Sequence, residues 1–140
     1  MASGIAIADK CVEAYKALSK REYGSIILKI NDDMSEVGVD KCMPPSAGDL
    51  ETEWKNLVSG LPENGCRYII SDFSWKETPT VTKSKIIMIL WSAEYAPVRH
   101  RTVYAASKES VATKMAVQKS IQAVELEDIA YLAIKRDVTK

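Results

Sequence analysis

Two long runs, CRYIISDFSW at 66–75 and SKIIMILWS at 84–92, leave the chain little choice of architecture. Both are rich in β-branched and aromatic residues and so read as strands. Both are also almost continuously apolar, without the alternation of a sheet that faces water on one side, so helices must cover each face. The polar, proline-containing link KETPTVTK joins them into a central hairpin. With 140 residues the chain fits one domain, which buries about two-thirds of the surface its unfolded form exposes.

The remaining segments supply the partners this hairpin needs. Asp9 is positioned to cap a first helix running to about Lys20, with Cys11, Tyr15 and Leu18 on one stripe. GSIILKIN and SEVGVDK, separated by a turn at NDD, form a second hairpin that ends at the prolines of CMPPSAGD. Asp49 caps a helix with Leu50, Trp54, Leu57 and Val58 inward, and Gly60 and Pro62 stop it. Pro97 suits a first helical turn, and Tyr104, Val111 and Met115 share one face of a long helix reaching about Met115. Ser107 marks a bend or restart in that helix. A short extended piece and a helix over about 126–136 close the chain. The fold class predicted is α/β (α+β), with a sheet between helices.

Nineteen Lys plus Arg balance nineteen Asp plus Glu. A neutral chain without exposed stacking aromatics is not built for nucleic acid. Cys11, Cys42 and Cys66 are odd in number and widely spaced, as in reduced cytosolic proteins. The longest apolar run, IIMILW, is far shorter than the roughly 20 residues a bilayer crossing needs. No secretory leader is evident, so a cytoplasmic protein is expected. A surface without repeated apolar patches predicts a monomer, although Cys42, on a proline-flanked segment, is a candidate for oxidative cross-linking. The single histidine, His100, lies between two arginines, and no GxSxG, HExxH or phosphate-cradling loop is present. No enzymatic activity, metal or cofactor is expected.

One placement calls for an outside partner. Arg99, His100 and Arg101 stand where the long helix starts, and the helix macrodipole disfavours cations there. Arg101 and Lys108, seven residues apart, share a stripe beside the buried face. Arginine is enriched at interface hot spots and pairs bidentately with carboxylates, so the fitting partner is acidic.

The same residues carry a resemblance. APVRHRTVYAASKES resembles the signature of the actin-depolymerising factor (ADF)/cofilin family. MASGIAI is similar to that family's N-terminal segment, LPENGCRYIISDF to its L-P-x-x-x-C-R-Y-x-x-x-D-[FY], and SKIIMILWSAEYAP to its strand-and-loop motif. The likeness spans nearly the whole chain. It implies a single ADF-homology domain over 1–140, with a mixed sheet of five to six strands between helices, that binds actin monomers and filaments without catalysis. The implied monomer site is Ser3, Gly4 and Ile5 with Arg99, Arg101, Lys108 and Glu109. The implied filament site is Lys83 and Lys85, with Lys135 and Arg136 as the nearest cations of the last helix. Ser3 matches the family's regulatory phosphorylation site. The resemblance also suggests phosphoinositides that compete with actin for the basic stripe.

Several positions depart from the family pattern. Tyr131 and Leu132 replace an acid–base pair, Ala112 and Thr113 stand where two basic residues are common, leaving Lys114 alone, and MAVQKSIQAVE lacks the usual glycine. These changes weaken the filament contact more than the monomer contact. The expected protein promotes depolymerisation and turnover, with severing reduced or condition-dependent. Two alternatives stay open: a filament side-binding adaptor of the same fold, and a small thiol enzyme using Cys66 or His100.

Overall fold

The computed structural model describes residues 5–45 and 48–139. Its elements, in order, are β1 (Ala6–Ile7), α1 (Asp9–Ser19), β2 (Ser25–Ile30), β3 (Glu36–Met43), α2 (Leu50–Ser59), β4 (Cys66–Thr78), β5 (Val81–Ser92), α3 (Val98–Lys114), β6 (Lys119–Ala123), a 3₁₀ turn (Leu126–Ile129) and α4 (Tyr131–Thr139). The six strands form one sheet in the order β1-β3-β2-β4-β5-β6. The β2–β3, β2–β4 and β4–β5 pairs are antiparallel, and β1–β3 and β5–β6 are parallel.

Both faces of the central strands are covered, as their apolar sequences require. Tyr68 of β4 meets Tyr104 of α3, with ring centroids 5.1 Å apart. Phe73, odd where Tyr68 is even and so on the opposite face, meets Trp54 of α2 at 5.1 Å and Tyr131 of α4 at 5.2 Å. Helix α1 packs against β2 and β3. Leu28, Tyr68, Ile69, Ile70 and Ile87–Leu90 are fully buried.

Asp49 caps α2 as predicted: its side chain accepts from the Thr52 backbone N–H at 3.0 Å, and Gly60 is the C-cap. Four details differ from the sequence reading. Ala8, not Asp9, is the N-cap of α1; Asp9 is its first helical residue, where its charge suits the dipole. The link KETPTVTK is mostly strand, because its Thr and Val residues extend β4 and β5 into an arm that turns only at Pro79–Thr80.

No restart occurs at Ser107. Helix α3 is continuous across it, and the buried hydroxyl is engaged by the Tyr68 phenol. Finally, no single helix covers 126–136. The Asp128 carboxylate accepts from the Val124 and Glu125 N–H groups at 3.0 and 3.1 Å, which holds a separate turn. The Ile129 carbonyl, which a continuous helix would use internally, instead accepts from the Trp54 indole at 2.7 Å.

The end of α3 puts a residue other than glycine in a left-handed cap. The Val117 N–H donates to the Ala112 carbonyl and the Ala116 N–H to the Thr113 carbonyl, closing a Schellman motif around Ala116 at φ 48°. A side chain in this left-handed conformation carries roughly 1–2 kcal/mol of steric penalty. Glycine relieves that penalty but loosens the unfolded chain by about 0.4–1 kcal/mol. Ala116→Gly is therefore expected to stabilise the protein and to raise Tm by about 2–4 °C, read by calorimetry.

Candidate functional site

The N-terminal strand and α3 are tied to the same row of the sheet. The Ala6 N–H donates to the Ser35 carbonyl at 3.1 Å and the Ala8 N–H to the Val37 carbonyl at 2.9 Å, fixing β1 along β3. Val37 also pairs with Ile30, whose N–H donates to the Tyr104 hydroxyl at 2.8 Å. The Tyr104 carbonyl in turn accepts from the Tyr68 hydroxyl at 2.5 Å, and desolvation raises both phenol pKa values. One buried tyrosine thus sets the distance between α3 and β1. Between them lies a cleft of about 590 Å³, lined by Ile5, Ile7, Ala106, Glu109, Ser110, Thr113 and Lys114.

The predicted monomer-site residues divide around this cleft. Ile5 is buried at its wall and Glu109 is exposed on its rim. Arg99 is exposed and stands seven residues before Ala106, hence on the cleft side of α3. Arg101 and Lys108 are half-buried and share a different flank, because two residues along a helix turn the side chain by roughly 200°. The Arg101 guanidinium donates to the Glu94 carbonyl at 3.5 Å. The first turn of α3 contains no acidic residue, and its N-cap, Pro97, supplies no side-chain acceptor. The cationic helix start therefore has no internal counter-charge in that turn. Ser3 and Gly4 lie outside the described residues.

A second surface gathers the arm and α4. Phe73 pairs with Lys85 and Trp75 with Lys83, so both lysines share the sheet face on which α4 packs. Lys83 is exposed. Lys85 is half-buried, and its ammonium donates to the Val138 carbonyl at 2.9 Å. Arg136 is exposed and Lys135 half-buried on α4. The departing residue Tyr131 serves the fold: its ring lies on Phe73 and its hydroxyl donates to the Ser74 carbonyl at 3.0 Å. Leu132 is 64% exposed. Sequence reasoning missed both α4 hydrogen bonds, whose partners are more than fifty residues away along the chain.

The thiols offer no comparable arrangement. Cys66 is 1% exposed, its sulfur donates to the Ser92 hydroxyl at 3.8 Å, and burial pushes its pKa up. Cys11 is pushed up to about 11, chiefly by burial, and Cys42 is raised for the same first cause. Thiols held protonated are poor nucleophiles. Among the described residues no cluster of His, Cys, Asp and Glu could hold a metal ion, and no helix is long and apolar enough to cross a membrane.

A mixed six-stranded sheet between helices, matched along nearly the whole chain by a family of actin-binding proteins, places this domain in that class. The family model Cofilin_ADF, described as cofilin/tropomyosin-type actin-binding protein, matches residues 4–139, and the chain belongs to this family. It is 35% identical to "Actin-depolymerizing factor 3" of Zea mays over 135 residues, covering 95% of this chain and 94% of that protein. It is 33% identical to "Cofilin-1A" of Dictyostelium discoideum, covering 92% and 91%. Among solved structures, actin depolymerization factor 2 of Plasmodium berghei superposes with a TM-score of 0.86 at 26% identity, over 99% of this chain and 98% of that one.

Proposed function

We propose that this protein binds actin monomers and filaments and promotes filament depolymerisation and turnover. The observation that carries the reading is the coupling of the N-terminal strand to α3 through Tyr104, with Ile5 and Glu109 lining one cleft and Arg99 exposed two turns before it on the same side of α3. Arg101 and Lys108 extend the contact along the flank. No bond is made or broken in actin: binding that favours one arrangement of the polymer shifts its equilibrium. The second contact, to the filament, uses Lys83, Lys135 and Arg136 with Lys85 at their root. Its acid–base pair is replaced by Tyr131, which the fold consumes, and by the exposed Leu132. Filament side-binding and severing are therefore weaker than monomer binding.

Phosphorylation of Ser3 would add about −1.5 to −2 charges beside a contact suited to acidic surface, and so opposes binding. Phosphoinositide headgroups compete for the same cations, with a competition that falls as salt rises.

Sedimentation of filaments with the purified protein tests this reading. Actin is expected to move to the supernatant with little of the protein in the pellet, and Ser3→Glu is expected to leave the actin polymerised. A protein that pellets with filaments whose mass is unchanged would instead be a side-binding adaptor. Unchanged depolymerisation by Ser3→Glu would remove the proposed switch.

A further inference from the structure

Lys85 occupies a position that the family resemblance assigns to filament contact, yet its ammonium is committed within the fold. Helix α4 has nine residues, too few to be stable alone in water. It is held at both ends by the same strand pair. At its start, the Tyr131 hydroxyl donates to the Ser74 carbonyl of β4; at its end, the Val138 carbonyl accepts from the Lys85 ammonium of β5 at 2.9 Å. The second bond joins a full positive charge to the negative end of the helix dipole, where a cation is most favourable. Between the two tethers ride Lys135 and Arg136, and Leu132 stands three and four residues before them on the same helix surface.

We propose that Lys85 is a positioning residue: by anchoring the last turn of α4 to β5, it sets the angle at which Lys135, Arg136 and Leu132 are presented beside Lys83. This rests on the filament contact proposed above and assigns Lys85 a different part in it from Lys83, which is exposed and stands opposite Trp75 in the arm.

Two measurements on Lys85→Met test the assignment. Amide hydrogen exchange of the free protein is expected to accelerate on the order of tenfold in the last turn of α4, with β4 and β5 unaffected. In filament sedimentation, Lys85→Met is expected to lose affinity several-fold, and combining it with Lys135→Ala and Arg136→Ala should add almost nothing, because those contacts are already misplaced. Lys85→Arg, which retains donors at the end of a long side chain, should restore both readouts. Unchanged α4 exchange, or losses that add fully in the combined variant, would make Lys85 a direct contact and overturn the proposal. A wild-type protein that leaves filaments untouched would overturn the filament role itself, while the exchange result would still report whether Lys85 holds α4.

Discussion

Trp54→Ala is expected to lower the unfolding free energy by roughly 3–5 kcal/mol, the range for removing a buried aromatic side chain. Trp54 is 6% exposed, its ring is edge-on to Phe73 at 88°, and its indole N–H satisfies the Ile129 carbonyl. Alanine leaves a cavity and an unpaired carbonyl at the point where the 3₁₀ turn gives way to α4. Urea unfolding should show a lower midpoint with an unchanged slope. Trp54→Phe separates the two losses: it keeps most of the packing and removes only the hydrogen bond, at about 1–3 kcal/mol for the unsatisfied carbonyl. Equal losses for the two variants would mean that the carbonyl, not the ring, dominates.

The largest functional loss is expected from Arg99→Ala combined with Arg101→Ala. Truncating a central interface arginine typically removes about 2 kcal/mol or more. The pair should therefore weaken actin monomer binding on the order of 1,000-fold. The two side chains leave α3 on different flanks, so their separate losses should approximately add. Lys55→Ala, on α2 across the sheet, serves as the control and should bind like wild type. Fluorescence titration of labelled monomer, repeated at two salt concentrations, measures both the loss and its electrostatic share. A double variant that binds within a fewfold of wild type would move the monomer contact away from the start of α3.

How much of this was legible in the sequence depends on the range of the forces concerned. The apolar runs around Ile69 and Ile89 specified buried strands, and Asp49 and Gly60 marked the ends of α2, because burial and capping act over a few residues. The arm beyond Trp75 was hidden because its strands are exposed and show no inward face. The break at Ala130 was hidden because it depends on an indole from α2. Arg99 and Arg101 were recognisable as unusual cations and the stripe of Arg101 and Lys108 was legible from helix spacing, but the cleft that Arg99 stands beside depends on β1, a two-residue strand too short to read. The family resemblance pointed to Lys85 as a contact, and only the distance to Val138 shows what its ammonium holds.

The attachment of β1 has a consequence of its own. This strand has two residues at the edge of the sheet, where the Ala6 and Ala8 N–H groups donate to the Ser35 and Val37 carbonyls, whereas the Tyr104 anchor of α3 lies deep in the core. Release of the edge strand is thus a local opening that leaves the global fold intact. Under the proposed Ser3 switch, the added phosphate acts at this edge strand, so partner binding is turned off and on without the core refolding.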